Sequence, residues 1–303
     1  MIAGVLFPSA GVVFEPYLLI WLGLILFVNL IKLNPKDLLI VFAKPTNIVI
    51  MSFLKLLILP LALYAITYFI YPKLMLSATL LSGISTSVGA PFAVNFVGRA
   101  NLSTMVGVIV VTSIAAPFTL PTIVYFLFKE QISIPIFNMM FLLVIALFIP
   151  LFAGWLTRKK AYRLANAVDE KSLLLSLILI VLINFSVFAK FSTYFFINWV
   201  FVIELVIAVF LLFGVYGLAG YYFYYYFASI GTRIRKGEEQ DNSNNKGKEK
   251  ADRITGLLAM TYISNVLVVV LAHQFFDIKT EALAAFYQIP YYVGLLFLKR
   301  LLA

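Results

Sequence analysis

The stretch Ser82-Gly-Ile-Ser-Thr-Ser-Val-Gly-Ala-Pro91 lies inside a hydrophobic run, residues 75–97, that is long enough to cross a bilayer. Four hydroxyl residues, two glycines and a proline fall within these ten positions. Proline lacks a backbone donor and glycine loosens a helix, so the composition does not suit a lipid-facing helix. Non-helical backbone is tolerated at membrane depth only when it is buried in protein or lines a wet cavity. The stretch predicts a broken helix whose free backbone groups face a solute; a kinked packing helix is the alternative.

A second polar interruption, Thr261-Tyr-Ile-Ser-Asn265, lies within the apolar run 257–271. Two interruptions in antiparallel spans of the two chain halves are typical of inverted-repeat transporters with a site at the bilayer midplane. Half-helix N-termini there present free N–H groups and a positive dipole end, which suit an anionic substrate group. The predicted substrate-binding side chains are Ser85, Thr86, Ser87, Asn95, Thr261, Ser264 and Asn265. Any of them could instead serve as a hydrogen bond between helices.

The composition is that of an all-α polytopic membrane protein with a single transmembrane domain. Of the 303 residues, 63% are hydrophobic and only 12% are charged. The absence of cysteine and the single histidine, His273, argue against a metal site, a cofactor or nucleophilic catalysis. The net charge of +10 comes from basic residues clustered in loops, so it does not indicate a nucleic-acid partner.

About nine transmembrane helices are predicted, at 16–34, 46–71, 74–98, 101–128, 134–157, 171–190, 197–228, 253–275 and 280–301. Basic residues concentrate in the odd-numbered connections, for example at 158–171 and 233–253. The positive-inside rule therefore places the N-terminus outside the cell membrane and the C-terminus in the cytoplasm. A segment rich in Glu, Asn, Lys and Gly, residues 230–252, is predicted to be a flexible cytoplasmic loop.

Lys55 is the main charged residue predicted inside the bilayer. It lies about nine residues, or roughly 13 Å, from the cytoplasmic end of the second span, too deep for easy snorkelling. An intramembrane charge of this kind is by default a functional hypothesis. Glu204 lies nearer the outer face and could pair with a lysine or sit among the headgroups, and His273 is predicted to be interfacial.

Several motifs resemble the bile acid:sodium symporter family, which is related to the arsenite permease and auxin efflux carrier families. They are Asn34-Pro35-Lys36-Asp37, the helix at 54–60 with its proline, Arg99-Ala100-Asn101, and residues 253–272 with Asn265. The resemblance covers nearly the whole chain. It implies two inverted repeats, at about 1–130 and 131–303, one outer helix being absent here. It also implies a panel domain and a core domain that rock to give organic anions alternating access.

The chain departs from this family at the sodium ligands. Alignment through Asn101 places Pro91, Phe92, Met105, Ile109, Met260, Ser264 and Lys55 at the family's ligand positions. Met, Ile and Phe side chains cannot coordinate Na⁺. The chain therefore resembles a member that has lost both sodium sites. In this hypothesis the Lys55 ammonium occupies a former sodium position and holds the crossing helices, and if it exchanges its proton it also couples transport to protons.

A secondary active transporter of a small organic anion is the leading functional prediction. An auxin-carrier-like permease is the alternative within the same fold, and an arsenite carrier is disfavoured because there is no cysteine for a thiophilic metalloid. An intramembrane enzyme is the alternative from another class, but no aspartate falls inside a predicted span. The substrate, the coupling ion, the direction of transport and the oligomeric state are left open.

Overall fold

The computed structural model describes residues 2–31, 45–98, 100–129, 135–235 and 242–302. Within these ranges the chain is helical, and its only β-type contact is an isolated bridge between Thr86 and Ile263. The helices are α1 (Ile2–Leu6), α2 (Pro8–Val12), α3 (Leu18–Leu30), α4 (Pro45–Phe53), α5 (Leu59–Ile70), α6 (Met75–Gly83), α7 (Ala90–Val97), α8 (Leu102–Phe128), α9 (Ile136–Lys160), α10 (Tyr162–Glu170), α11 (Ser172–Lys190), α12 (Ser192–Ile197), α13 (Trp199–Arg235), α14 (Asn242–Thr261), α15 (Asn265–Phe275), α16 (Ile278–Phe286) and α17 (Gln288–Leu302). Motif residues at 34–37 and Arg99 lie outside the described ranges.

Six helical stretches in the described part are long and apolar enough to cross a membrane: Pro8–Asn29, Thr46–Ile70, Leu102–Phe128, Ile136–Lys160, Trp199–Tyr222 and Ile278–Arg300. A bent pair, Tyr162–Glu170 with Leu174–Lys190, makes a seventh if it is counted as one span. The chain is therefore an integral multi-pass membrane protein. The predicted spans at 74–98 and 253–275 are the two interrupted helices, α6 with α7 and α14 with α15. The total of nine spans stays a prediction.

The segment 230–252 differs from its predicted form. Helix α13 continues to Arg235, and α14 already begins at Asn242, so a flexible loop is the wrong description of residues 242–252. Arg253 pairs with Glu249 one turn earlier at 2.6 Å, a spacing that stabilises exposed helices. Residues 236–241 lie outside the described ranges.

Contacts divide the chain into two compact units, and each unit draws on both predicted repeats. Unit 1 consists of Met1–Asn34, Pro135–Ala208 and Val266–Phe286. Within it, α1 and α2 pack on α11 so closely that a Cβ on Gly4 would overlap the Phe185 carbonyl. Arg158 donates to the Ile31 carbonyl at 2.8 Å and so joins the ends of α9 and α3.

Unit 2 consists of Pro35–Ile134, Val209–Asn265 and Tyr287–Ala303. Its helices α5 and α6 pack side by side, and α4 packs on α8. Helices α13 and α14 approach so closely that a Cβ on Gly220 would overlap the Gly256 carbonyl. The end of α14 is also where the predicted site residues other than Asn95 converge, Lys55 through its bond to the Met260 carbonyl.

Candidate functional site

The breaks of the two interrupted helices, residues 84–89 and 262–264, lie in unit 2 and meet each other. Helix α6 ends at Gly83 and the next residue is extended. Ser87 N–H donates to the Tyr262 carbonyl at 2.7 Å, and Ser264 N–H donates to the Ser85 carbonyl at 3.0 Å. These two bonds form the antiparallel bridge of the fold. Part of the prediction is therefore wrong: these freed backbone groups pair with each other and do not face a solute.

The carboxyl end of α14 is capped by side chains from three other elements. A helix leaves its last four carbonyls without partners inside the helix. Here the carbonyls of residues 259, 260 and 261 accept hydrogen bonds, each at 3.0 Å, from Thr86 Oγ1, Lys55 Nζ and Tyr287 OH in that order. Because each donor comes from a distant part of the sequence, the end of α14 is the point at which unit 2 is joined together.

Lys55 is fully buried and lies in a π-helical turn, Leu54–Ile58, that precedes Pro60. A proline removes one helical donor, and π-helical turns occur frequently at functional sites. Besides the Met260 carbonyl, the ammonium faces the ring of Tyr216 at 5.6 Å from the ring centroid. Among the described residues no carboxylate lies within ion-pair distance of it. Its charge is thus balanced only by the negative end of a helix dipole and an aromatic face.

The predicted site residues at the break fall into a buried group and a partly exposed group. Ser85, Thr86, Thr261 and Asn265 are buried. The Ser85 hydroxyl has no hydrogen-bond partner among the described residues, whereas the Thr261 hydroxyl donates back to the Leu257 carbonyl of its own helix at 2.8 Å. Of these four residues, Thr86 donates across to the other interrupted helix, at 3.0 Å from the Ala259 carbonyl.

Ser87 and Ser264 are the partly exposed members. Ser87 Oγ accepts from the Gly89 N–H at 3.1 Å and lies 3.5 Å from Tyr291 OH. Helix α7 then begins after Gly89 without a side-chain cap. Asn95 is exposed on α7, about one and a half turns beyond this end, so it lies away from the break. The structure gathers six of the seven predicted substrate-binding residues at the crossing of the two interrupted helices.

The positions aligned with family sodium ligands include Ser264, which has a hydroxyl oxygen, and several residues whose side chains have none. Met105, Ile109 and Met260 are buried, and Phe92 is exposed. None of these four side chains carries an oxygen, the ligand atom that Na⁺ requires. Lys55 and Met260, two of the aligned positions, are in direct contact through the ammonium and the carbonyl.

Sequence reasoning missed the tyrosines that surround the break. Tyr287 OH donates to the Thr261 carbonyl, Tyr262 OH donates to the Tyr291 carbonyl at 3.2 Å, and Tyr216 OH donates to the Ala78 carbonyl at 3.3 Å. Tyr287 and Tyr291 are four residues apart and so lie on one helical face, a signal that the sequence already contained. Their partners are carbonyls, and backbone atoms leave no trace in a sequence pattern.

His273 is likewise more than an interfacial residue. Its Nδ1 lies 3.1 Å from Lys190 Nζ in unit 1, in a group of charged side chains described below. Glu204, the other charged residue considered within a span, is partly buried on α13.

The model of the Sodium Bile acid symporter family matches residues 19–198, more than half of the chain. No curated protein matches the chain. The matched region includes the first interrupted helix, the π-helical turn with Lys55, and helices α8 and α9. The chain belongs to the sodium bile acid symporter family.

Proposed function

We propose that this protein is a secondary active transporter of a small organic anion, that it works by alternating access, and that Lys55 replaces sodium. Membership of a symporter family supports the transport class. The carrying observation is the fully buried Lys55 ammonium, 3.0 Å from the Met260 carbonyl at the break of the second interrupted helix. Ser264 is the one aligned sodium position whose side chain carries an oxygen; the side chains of Phe92, Met105, Ile109 and Met260 carry none, which supports this substitution.

The Lys55 ammonium supplies the positive charge that a bound cation would otherwise supply at the carboxyl end of α14. A cation at this end is favoured by the helix dipole. Since the lysine is covalently attached, the crossing helices stay joined whether or not an ion is present. The binding free energy of the substrate then does not depend on the sodium concentration.

The amino ends of α7 and α15 are the proposed contacts for the anionic group. Helix N-termini present unpaired N–H groups and a positive dipole end to an anion. Ser87 and Ser264 lie next to these ends and are partly exposed, so they are the best placed of the predicted side chains to bind substrate. Ser85, Thr86, Thr261 and Asn265 position the break, and Asn95 is the least supported member of the set.

The same proposal includes two inverted repeats, at about 1–130 and 131–303, and a panel domain and a core domain. It also includes an N-terminus outside the cell and a C-terminus in the cytoplasm. Each of the two compact units takes segments from both repeats, an arrangement that interleaved inverted repeats would produce. The bilayer and a small organic anion are the proposed partners.

Uptake of labelled organic acids into proteoliposomes tests the proposal. Wild-type uptake should be equal in sodium and choline buffers, and Lys55→Gln should reduce it at least tenfold (about 1.4 kcal/mol or more). Lys73→Gln is the matched control, since Lys73 is exposed near the Tyr71 ring and its loss should leave uptake unchanged. Full activity of Lys55→Gln, or wild-type uptake that requires sodium, would contradict the proposal.

Lys55→Arg separates a fixed charge from proton coupling. Arginine keeps its charge in proteins and does not exchange its proton. If Lys55→Arg retains uptake, the fixed-charge role is supported. If the variant loses accumulation driven by a proton gradient but still exchanges substrate across the membrane, coupling to protons is supported.

A further inference from the structure

Four titratable side chains of unit 1 meet at one place, and each comes from a different element. Glu15 lies in a 3₁₀ turn before α3, Lys190 is the last residue of α11, His273 lies on α15 and Glu281 lies on α16. Lys190 Nζ lies 2.9 Å from Glu281 Oε2, 3.2 Å from Glu15 Oε1 and 3.1 Å from His273 Nδ1. We call these residues the Lys190 cluster.

The geometry assigns the tautomer of His273. A lysine ammonium has three N–H donors and no acceptor, and Lys190 has three neighbours to which it can donate. Nδ1 of His273 must therefore accept, which requires a neutral ring with its proton on Nε2. In this state the bonding capacity of the ammonium is fully used.

One carboxylate oxygen in the cluster lacks a donor. Glu281 is nearly fully buried, its side chain being 3% exposed, and its Oε1 has no hydrogen-bond partner among the described residues. His273 Nδ1 lies 3.4 Å from that oxygen and 3.5 Å from Glu15 Oε1. Leaving a buried acceptor unsatisfied is costly, more so for a charged group.

The cluster is also one positive charge short. Two carboxylates face one ammonium and a neutral imidazole, so one negative charge is uncompensated in a largely buried place. Protonation of His273 would cancel that charge. It would also turn Nδ1 from an acceptor into a donor that lies 3.4 Å from the oxygen that lacks one.

We propose that the Lys190 cluster is a proton-binding site in which His273 Nδ1 takes the proton. On protonation, the contact between Lys190 and His273 becomes repulsive and is exchanged for a bond from His273 to Glu281 Oε1. The cluster then links α15 to α16 through a charge-assisted hydrogen bond.

Two other charged side chains in or next to α16, Asp277 and Lys279, do not belong to the cluster. Asp277, in the turn before α16, accepts from the Thr280 N–H at 3.0 Å and caps that helix. Lys279 is exposed on α16. The site lies in unit 1 and Lys55 lies in unit 2, so the proton site stands independently of the proposed role of Lys55.

Nitrogen NMR of the histidine ring tests the proposal directly, because His273 is the only histidine in the chain. The protein is labelled with ¹⁵N-histidine, purified with a tag free of histidine and placed in lipid nanodiscs. At alkaline pH the ring should be the Nε2–H tautomer, and acidification should produce the doubly protonated ring. An Nδ1–H tautomer at alkaline pH, or a ring that stays neutral down to pH 4, would overturn the proposal.

Variants of the cluster add a second readout on the same spectrum. Glu281→Gln and the milder Glu15→Gln should each lower the pH of half-protonation, by about one unit for Glu281→Gln, while Lys190→Gln should raise it. Lys279→Gln and Glu170→Gln remove the same charges at exposed positions and should leave the midpoint unchanged. Equal shifts in the cluster and control variants would show that the ring senses only bulk charge and would reject the site.

Discussion

Lys55 and Lys190 are two partly or fully buried lysines with opposite environments. Lys55 is fully buried and has a neutral carbonyl and an aromatic ring as neighbours. Lys190 is about one quarter exposed and has two carboxylates and an imidazole as neighbours. The first lysine brings an uncompensated positive charge into unit 2, and the second one neutralises part of a negative cluster in unit 1.

This difference in environment predicts which of the two lysines contributes more to the free energy of unfolding. A buried charge without a counter-charge is destabilising, and replacing it by an apolar residue of similar volume is often neutral or favourable. Removing one partner of a buried ion-pair network is instead strongly unfavourable, because it leaves charges unpaired. We therefore expect Lys55 to contribute less to folding stability than Lys190, which joins four elements of unit 1.

The largest expected effect comes from placing at positions 55 and 260 the residue types that the family alignment predicts there. In the double variant Lys55→Gln with Met260→Glu, a buried carboxylate replaces the buried ammonium and needs a cation. We expect uptake to become at least tenfold faster in sodium than in choline, and sodium to raise the Tm of this variant but not of the wild type.

Lys55→Gln alone and Met260→Gln are the matched controls for the double variant, since neither one adds a carboxylate. A double variant whose Tm is the same in sodium and choline would show that Met260 and Lys55 do not occupy a former sodium position.

The next largest effect is a difference in the free energy of unfolding between variants of the two lysines. Lys190→Met should lower the free energy of unfolding by about 2 kcal/mol, because it leaves Glu281 buried and unpaired; this is less than for a fully buried pair since the site is partly exposed. Lys55→Met should change it by less than about 1 kcal/mol, because the lost bond to the Met260 carbonyl is offset by the removal of a buried charge. Thermal unfolding in detergent, followed by intrinsic fluorescence, measures both. A larger loss in Lys55→Met than in Lys190→Met would reverse the comparison.

The smallest effect concerns the neighbours that hold the break near Lys55. Tyr287→Phe should lower the free energy of unfolding by about 1 kcal/mol, because it leaves the buried Thr261 carbonyl without its 3.0 Å donor. Tyr291→Phe removes a hydroxyl that only reaches Ser87 at 3.5 Å, so it should cost less than half as much. The same unfolding assay distinguishes the two, and equal losses would show that the hydroxyl of Tyr287 contributes no specific bond.

Much of the fold could be predicted from the sequence because hydrophobic length is a local property. The two interruptions were located at 82–91 and 261–265 from proline, glycine and hydroxyl residues alone, and α6 and α14 end within these stretches. The flexible loop predicted at 230–252 is helical at residues 230–235 and 242–252. Polar composition indicates exposure, but an exposed segment can still continue a neighbouring helix and gain i,i+4 pairs such as Glu249 with Arg253.

The position of six of the seven polar residues at the crossing of the interrupted helices follows from the sequence, because polar residues within an apolar run mark where the helices break; their role as substrate ligands stays a prediction. The charged cluster in unit 1 was missed, because Lys190 is 91 positions from Glu281 and 83 from His273 in the sequence. No spacing rule connects side chains so far apart.

The amino-acid sequence by itself determined that this is a multi-pass membrane protein, where its helices are interrupted, and that Lys55 lies within a span. Only the tertiary structure decided what the interruptions and the lysines bind. The reason is physical: the hydrophobic length and flexibility of a segment depend on its own residues, whereas a hydrogen bond depends on which atoms the fold brings within about 3 Å. The Met260 carbonyl, the partner of Lys55, is a backbone atom that every residue type carries, so only its position in the fold distinguishes it.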